Sequence, residues 1–304
     1  MGKIAFVFPG QGTQCTGMGQ DLVADASAHA VFQMADSVRP ETSAQCFTGD
    51  EATLAITCNT QPCLFTVELA LAEALKARGL VADCVAGFSL GEVVALAYAE
   101  VAPMATMFEL ICQRGALMQE ACDAEPAGMV AVLRLSSDEV VALAADFSEV
   151  YPVNFNCPGQ VTVAGTREAL AEFAKAVKEK GGRALPLKVK GGFHSPLMAE
   201  AGARFYDILK DIDFQLPQMA VYANATAMPY GEEVAPLLAK QLTMPVKWEQ
   251  SIRQMMTDGV DTFIEVGMGD TLSGMIKRIH PEARLYHVAT LEAIDTVCKE
   301  ILVC

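Results

Sequence analysis

Gly87-Phe88-Ser89-Leu90-Gly91 is a G-x-S-x-G motif between a predicted buried strand, residues 81–88, and a helix predicted over residues 90–99. A serine at a sharp strand-to-helix turn is the context that separates a nucleophile elbow from a chance match. The alternative is an ordinary turn in which Ser89 only caps the helix. The segment therefore predicts an α/β protein that displays a serine where one strand of its sheet ends.

Two further segments have the pattern of strands in the same sheet. Ile4–Phe8 is a continuous apolar run, typical of a strand buried on both faces, and it ends at the turn formed by residues 9–12. Phe263–Val266 is another short strand, followed by a helix predicted over Thr271–Arg278. Strands that alternate with helices favour a mostly parallel sheet that is covered on both faces.

Residues 128–190 carry a different pattern, in which short strands alternate with two helices that Ser136 or Ser137 and Thr166 can cap. The order βαββαβ is that of the ferredoxin-like split motif. The predicted strands are residues 129–135, 151–155, 161–164 and 184–189. We therefore predict a large α/β core, formed by residues 1–127 and 191–304, with an inserted α+β subdomain of residues 128–190.

The composition excludes several classes of protein. The 304 residues are 52% hydrophobic and 19% charged, which is unlike a disordered chain. The 22 Lys and Arg against 37 Asp and Glu leave a net charge of −15 and a pI near 4.7. So acidic a chain is a poor candidate for binding nucleic acid or an anionic membrane surface, because basic side chains supply the affinity there.

The ten cysteines argue against a metal centre and against a disulfide framework. None lies in a C-x-x-C pair or in a Cys/His metal spacing, and many thiols without partners are typical of a reducing compartment. The longest apolar stretch, 93–108, is too short to span a membrane, and the N-terminal apolar run is too short for a signal peptide. We expect a soluble cytoplasmic protein without a metal site.

A serine nucleophile needs a base, and the chain has four histidines. His194 is the best candidate, because its glycine-rich segment, 190–196, lies where the predicted subdomain returns to the core, a usual place for a cleft. The alternative is the arrangement of an ordinary α/β-hydrolase, in which His287 is the base and Asp261 or Asp270 orients it.

Arg114 is the only Lys or Arg between residues 78 and 134 and stands in an apolar helical stretch. Its functional interpretation is a planar fork that receives a substrate carboxylate in two parallel hydrogen bonds. The alternative is an ion pair with Glu109 or Glu120 on a solvated face.

The Gly10-x-Gly12 turn has two interpretations, a loop that donates backbone N–H groups into a cleft or a plain turn. It lacks the third glycine of a dinucleotide fingerprint.

Together these segments resemble the malonyl-CoA:acyl-carrier-protein transacylases over nearly the whole chain. The resemblance implies an α/β-hydrolase-like core with a ferredoxin-like insertion. The matching segments occur in the family's order and are Phe8-Pro9-Gly10-Gln11-Gly12, Thr60-Gln61-Pro62, Gly87-x-Ser89-Leu90-Gly91-Glu92, Gln113-Arg114-Gly115 with Met118-Gln119, Val153-Asn154-Phe155-Asn156 with Pro158-Gly159-Gln160, Phe193-His194-Ser195-Pro196-Leu197-Met198, Gln241-Leu242 with Pro245-Val246-Lys247-Trp248, and Glu265-Val266-Gly267.

The resemblance also implies a role for each residue of the catalytic site. Ser89 matches the nucleophile and His194 the base. The family orients this histidine with a main-chain carbonyl, which here belongs to Gln241. The backbone N–H groups of Gln11 and Leu90 match the oxyanion hole.

Four positions bear on the choice of acyl group. Arg114 matches the arginine that pairs with the malonyl carboxylate, and Asn156 matches a substrate-binding position. Phe193 matches the residue of members selective for unbranched malonyl, where its bulk crowds a methyl branch. Phe88 departs from the family, which usually has histidine immediately before the nucleophile. That histidine is not the general base, so the departure concerns packing and acyl selectivity.

The activity implied by the resemblance is transfer of malonyl from malonyl-CoA to the phosphopantetheine thiol of acyl carrier protein, through a malonyl-serine intermediate. It needs no cofactor, and the pathway is fatty-acid elongation, with polyketide synthesis as an alternative. A serine esterase or thioesterase, or a catalytically idle carrier-binding subunit, are the other hypotheses. We expect a monomer that docks the acidic carrier on basic residues, either Arg183, Lys188 and Lys190 or Lys277-Arg278.

Overall fold

The computed structural model describes residues 2–124 and 126–302. Within them the strands form two separate sheets. The strands are β1 (Lys3–Phe8), β2 (Cys84–Gly87), β3 (Ala127–Leu133), β4 (Val150–Cys157), β5 (Gln160–Thr166), β6 (Arg183–Pro186), β7 (Ala220–Tyr222), β8 (Val260–Val266) and β9 (Arg284–Val288). The helices are α1 (Ala26–Val38), α2 (Thr42–Thr48), α3 (Glu51–Leu54), α4 (Thr57–Ala77), α5 (Leu90–Tyr98), α6 (Met104–Ala124), α7 (Ser137–Ala144), α8 (Arg167–Glu179), α9 (Ala199–Leu209), α10 (Val234–Lys240), α11 (Trp248–Thr257), α12 (Thr271–Ile279) and α13 (Leu291–Leu302).

The first sheet has the strand order β7-β2-β1-β8-β9, and all of its pairs are parallel. The side chains of its central strand, β1, alternate between two apolar cores. Phe6 and Phe8 pack into the core that contains α4, α5 and α6, whereas Ala5 and Val7 face the core that contains α11 and α12. The predicted α/β fold class with a parallel sheet is therefore confirmed.

The second sheet is antiparallel, with the strand order β4-β5-β3-β6. The helices α7 and α8 pack on it around a core of their own. Ser136 accepts from the N–H of Glu139 and Glu139 bonds back to Ser136, a capping box, while Thr166 caps α8. The element order is that of the predicted ferredoxin-like motif, and these strands all lie within residues 127–186.

Several predicted bounds are wrong by a few residues. The strand predicted over 81–88 is confined to Cys84–Gly87. Asp83, the residue before it, bonds to β1 through its side chain, which accepts from the N–H of Ile4. The strand predicted over 184–189 ends at Pro186. The residues after it leave the sheet and line the cavity of the site.

Main-chain hydrogen bonds beside β4 join the antiparallel sheet to the segment that leads into α11. The N–H of Val246 donates to Val153 O at 2.8 Å, and the N–H of Phe155 donates to Val246 O at 2.9 Å. This pairing holds Asn154 of the antiparallel sheet against the segment that leads into α11. It places the inserted sheet as one wall of the site.

No helix in the described residues is long and apolar enough to cross a membrane. The same residues contain no cluster of His, Cys, Asp and Glu that could hold a metal ion. All nine cysteines that they include are free, and Cys304 lies outside them.

Glu68 of α4 is a carboxylic acid in the apolar core. It is 0% exposed, neither carboxyl oxygen has a hydrogen-bond partner, and its Cγ would lie 3.1 Å from a Cβ added at Gly267. Burial, together with the nearby Glu265, raises the pKa of the Glu68 carboxyl well above its usual value. The folded state therefore disfavours ionisation of this carboxyl relative to the unfolded chain.

We expect Glu68→Gln to stabilise the protein at neutral pH. A carboxyl whose pKa is raised in the folded state destabilises that state as pH rises above the pKa of the unfolded chain, by about 1.4 kcal/mol for each pH unit over which the folded group stays protonated. The gain in Tm of the variant over wild type should therefore grow from pH 5 to pH 8, as measured by thermal unfolding. The exposed Glu109→Gln is the control, and a gain independent of pH would contradict the prediction.

Candidate active site

The G-x-S-x-G motif forms a strained elbow between β2 and α5. Ser89 has φ 54° and ψ −103°, a conformation that non-glycine residues rarely adopt, and its side chain does not cap α5. The glycines on either side permit a close approach, since a Cβ at Gly87 would lie 1.8 Å from the carbonyl carbon of Gly91. A Cβ at Gly91 would lie 2.1 Å from Phe8 O. The turn therefore presents the Ser89 hydroxyl at the carboxyl end of the central strands.

His194 lies against Ser89. Its Nε2 is 2.8 Å from Ser89 Oγ, and its Nδ1 is 2.8 Å from the main-chain oxygen of Gln241. The carbonyl can only accept, so Nδ1 carries the proton and Nε2 presents its lone pair to the serine. Burial, with the positive charge of Arg114, lowers the pKa of His194 to about 4. The imidazole is therefore neutral at physiological pH and can take a proton from Ser89.

The alternative base lies elsewhere. His287 Nε2 is 2.9 Å from the main-chain oxygen of Gly267. Of its two candidate partners, Asp261 bonds to the N–H of Gly2 and to Thr262, and Asp270 precedes α12. These contacts do not form the hydrolase arrangement that the sequence left open.

Arg114 points into the molecule and forms no ion pair with Glu109 or Glu120. It is 0% exposed, Nη1 donates to Gln61 Oε1 at 2.6 Å, and Nη2 donates to Gln241 Oε1 at 2.7 Å. Nη2 also lies 3.2 Å from Ser89 Oγ, whereas Nε has no partner. Burial lowers the pKa of Arg114 to about 10, so the group remains cationic. The result is a buried cation beside the nucleophile with only neutral side chains in hydrogen-bond contact.

The backbone N–H of Ser89 is occupied, because it donates to Asn224 Oδ1 at 2.7 Å. The next N–H, that of Leu90, opens α5 and has no preceding helical turn to donate to. Gln11 lies across the same cavity, and its side chain donates to Thr57 Oγ1 at 3.4 Å. The Leu90 N–H, at the first residue of α5, is therefore available to donate a hydrogen bond to an oxyanion formed at Ser89.

These groups surround a cavity of about 90 Å³, whose wall is otherwise mainly apolar. Its lining residues are Gln11, Gln61, Phe88, Ser89, Leu90, Arg114, Met118, Met129, Asn154, Leu187, Val189, Phe193 and His194. A larger cavity of about 620 Å³ shares Gln11, Leu187 and Val189 with it and reaches Lys188. The two cavities therefore lie next to each other, with Gln11, Leu187 and Val189 between them.

Two predicted site residues, Gln241 and Asn156, do not line the small cavity; Gln241 contacts Arg114 and His194 from behind, whereas Asn156 contacts neither through a hydrogen bond. Asn156 is buried, and its Nδ2 lies 3.4 Å from Thr162 Oγ1. Asn154, two residues earlier, lines the cavity instead, with an Oδ1 that has no partner. The role of Asn156 in binding substrate stays a prediction.

Phe88 forms part of the cavity wall and packs against Trp248. The two rings meet edge to face, with centroids 5.6 Å apart. The indole N–H of Trp248 is buried without a partner. Phe88 therefore occupies a packing position, as its departure from the family pattern predicts.

Three polar contributors to the site, Gln61, Glu92 and Asn224, could not be predicted from the sequence. Gln61 and Glu92 stand in the segments that carry the resemblance, but no role follows from their spacing. Asn224 follows β7 and belongs to no motif. Glu92 is buried and accepts from Asn224 N–H at 2.8 Å, from Gln241 Nε2 at 3.2 Å and from the Tyr230 hydroxyl. Burial raises the pKa of Glu92 to about 7, although these donors oppose the change.

Comparison with known proteins places this arrangement in a family. A family model described as an acyl transferase domain matches residues 5–291. Malonyl CoA-acyl carrier protein transacylases of Bacillus subtilis and of Synechocystis are each 35% identical to the chain, cover 99% and 97% of it, and are themselves covered over 98% and 100% of their length.

Solved structures agree over the same length. A malonyl CoA-acyl carrier protein transacylase from Clostridium perfringens superposes with a TM-score of 0.95 at 32% identity, covering 99% of this chain and 97% of its own. A structure of a type II PKS acyl-carrier protein in complex with its malonyl-transacylase matches with a TM-score of 0.94 at 32% identity, covering 98% of this chain and 99% of that one. A family model that spans nearly the whole chain, with relatives of this identity at full length, shows that the protein belongs to the acyl transferase domain family.

Proposed function

We propose that the chain transfers a malonyl group from malonyl-CoA to the phosphopantetheine thiol of an acyl carrier protein, by way of malonyl-Ser89. The observation that carries the proposal is the place of Arg114, a buried cation 3.2 Å from the Ser89 hydroxyl with no carboxylate in hydrogen-bond contact. A malonyl thioester bears one carboxylate and one reactive carbonyl, and so fits both groups at once. The relatives that match over nearly their whole length are malonyl CoA-acyl carrier protein transacylases, and their names support malonyl-CoA as donor and acyl carrier protein as acceptor.

The first half-reaction acylates the serine. His194 Nε2 takes the hydroxyl proton as Ser89 Oγ attacks the thioester carbon, and a tetrahedral oxyanion forms. The N–H groups of Leu90 and Gln11 stabilise that oxyanion. The carbon–sulfur bond then breaks, CoA leaves with the proton from His194, and malonyl-Ser89 remains. The Gln241 carbonyl stabilises the imidazolium that forms between these steps.

The second half-reaction runs the same chemistry in reverse. The carrier's phosphopantetheine thiol gives its proton to His194 and attacks the ester carbon, the carbon–oxygen bond breaks, and Ser89 regains the proton. A thioester is consumed and a thioester is made, so the overall exchange is nearly isoenergetic and reversible. No step uses a metal or a redox cofactor.

The shape of the small cavity supports an unbranched acyl group. Its volume is about 90 Å³, and Phe193, which is 7% exposed, occupies the wall beside His194. A methyl branch on the malonyl group would have to displace this ring or one of its neighbours, and packed side chains resist such displacement.

The larger cavity supports docking of an acidic carrier at its mouth. Lys188 lines that mouth with its side chain 95% exposed and only a loose, solvent-exposed ion pair with Glu51 at 3.8 Å, and Arg183 and Lys190 lie on the same segment of chain. Arg278 is less available, because it donates to Pro158 O and to Gln160 Oε1. The proposal includes a monomer that acts in the cytoplasm on the carrier of fatty-acid elongation, with a polyketide carrier as the alternative acceptor.

The direct test is mass spectrometry of the intact protein after brief exposure to malonyl-CoA, followed by addition of holo acyl carrier protein. The proposal predicts a malonyl adduct on Ser89 that disappears as malonyl-carrier forms. Release of free malonate in place of transfer would identify a hydrolase. Failure to form any adduct would support the hypothesis of a catalytically idle subunit.

We expect Arg114→Ala to lower kcat/KM for malonyl-CoA by about 10²-fold or more, because charge-assisted hydrogen bonds each contribute roughly 1.5–3 kcal/mol. Acetyl-CoA lacks the carboxylate, so its slow transfer should hold steady or rise once the unpaired cation is removed. The quantity to measure is the ratio of the two kcat/KM values. Arg204→Ala, which removes an exposed arginine paired with Glu120, is the matched control. An equal fall for both substrates would show that Arg114 is structural.

A further inference from the structure

Glu92 is a buried carboxylate that the reaction described above does not use. It lies in the first turn of α5, is 0% exposed and touches neither the Ser89 hydroxyl nor the His194 ring through any hydrogen bond. Its Oε2 accepts from two groups that come from distant parts of the chain, the Asn224 N–H at 2.8 Å and Gln241 Nε2 at 3.2 Å. Its Oε1 accepts from the Tyr230 hydroxyl.

Asn224 leads from Glu92 to the nucleophile. Its Oδ1 accepts from the Ser89 N–H at 2.7 Å, and its Nδ2 donates to Gly87 O at 2.6 Å. The side chain thus bridges both ends of the strained turn at Ser89. A strained backbone conformation persists only where surrounding groups stabilise it. Here the stabilising group is the side-chain amide of Asn224, and the backbone N–H of Asn224 donates in turn to Glu92.

Gln241 leads from Glu92 to the base. Its Nε2 donates to Glu92 Oε2 and, at 2.7 Å, to Ser89 O, while its main-chain oxygen accepts the hydrogen bond from His194 Nδ1–H. The amide is also fixed in orientation, because its Oε1 must face Arg114. The same oxygen, Oε2 of Glu92, therefore bonds both to Gln241, whose carbonyl orients the base, and to Asn224, whose side chain holds the turn at Ser89.

We propose that Glu92 is a positioning residue whose carboxylate oxygen holds Ser89, through Asn224, and His194, through Gln241, at the separation that proton transfer requires. The role rests on the proposed function for its reaction, but the alignment of serine and base is independent of which acyl group is transferred. A displacement of about 1 Å between reacting groups can lower a rate by about 10²-fold, so the effect of this oxygen should be seen in kcat.

The test is run at pH 8, where a carboxyl with a pKa of about 7 is mostly ionised. It compares Glu92→Met, which removes the acceptor, with Glu92→Gln, which removes the charge but keeps an acceptor. We expect Glu92→Met to lower kcat by about 10²-fold. Its KM for malonyl-CoA should not rise, because the variant also removes a negative charge near Arg114. Glu92→Gln should stay within about tenfold of wild type, since neutral hydrogen bonds replace charge-assisted ones. Tyr98→Phe, which removes a buried hydroxyl from the last residue of the same helix, is the control.

A second readout separates this proposal from the proposed function. A fluorophosphonate probe reports the reactivity of Ser89 without any acyl-CoA, and its labelling rate should fall in parallel with kcat in Glu92→Met. If wild type labels but takes no malonyl group, the proposed function fails and the labelling rates alone decide the positioning role. Labelling of Glu92→Met at the wild-type rate, or an equal loss in Met and Gln variants, would overturn the proposal.

If Glu92→Met does not fold, as judged by circular dichroism and gel filtration, Asn224→Ala decides instead. This variant removes the side chain that bonds to the Ser89 N–H and to Gly87 O, and it leaves the Glu92 carboxylate in place. A labelling rate reduced by tenfold or more supports the proposal, at about the loss expected for one strong hydrogen bond. An unchanged rate overturns it.

Discussion

Ser89→Ala should form no malonyl adduct and should lose transfer activity by on the order of 10⁴-fold or more, because no other nucleophile replaces the serine. The hydroxyl is the only group that the elbow presents to the His194 lone pair, at 2.8 Å. The fold should be retained, since Ser89 Oγ caps no helix and its backbone contacts with Asn224 and Gln241 do not need the side chain. Intact-protein mass spectrometry with malonyl-CoA measures the result.

The exposed Ser148→Ala is the control for this experiment and should acylate like wild type. Thermal unfolding of Ser89→Ala establishes that the loss is chemical. An adduct that persists on the folded Ser89→Ala protein would show that a different side chain is acylated, and the assignment of the nucleophile would be wrong.

His194→Ala should slow both half-reactions by about 10²–10⁴-fold, the usual contribution of a general base. The wild-type acylation rate should also be lost as pH falls through about 4, because burial and Arg114 lower the pKa of His194 to about 4 and only the neutral ring accepts a proton. Single-turnover acylation by malonyl-CoA, measured across pH, follows both effects.

The matched control is His287→Ala. His287 faces the Gly267 carbonyl and belongs to the hydrolase arrangement that the structure does not form, so its removal should leave the acylation rate unchanged. A large loss in His287→Ala together with a small loss in His194→Ala would reverse the assignment of the base.

Much of the fold is predictable because its signals are local. The elbow depends on glycines whose missing Cβ atoms allow strand and helix to approach, and these residues stand next to one another in the chain. The caps at Ser136 and Thr166 use a side chain and an N–H three residues away. Element types were therefore predictable, whereas the ends of β2 and β6 shifted because contacts from other strands compete there.

The polar groups around the serine were less predictable. Arg114 stands on a helix from which an ion pair with Glu109 or Glu120 remained open, and only the packing of α6 turns it towards Gln61 and Gln241. The resemblance to a family indicated the inward role. Spacing along the chain did not.

The amino-acid order alone settled what is made within a few residues: the buried strands, the turn that displays Ser89, and the helix caps. Hydrogen-bond partners 100 or more residues apart required the fold, as for His194 with Ser89, and Asn224 with both Ser89 and Glu92. The reason is physical. An amide or carboxylate in a helix or loop has the same local preferences whether it faces water or a buried donor. Asn224 follows β7, Glu92 follows β2 and Gln241 follows α10, so these side chains come together only when the elements pack. That packing removes water from them, and they must then hydrogen-bond to one another.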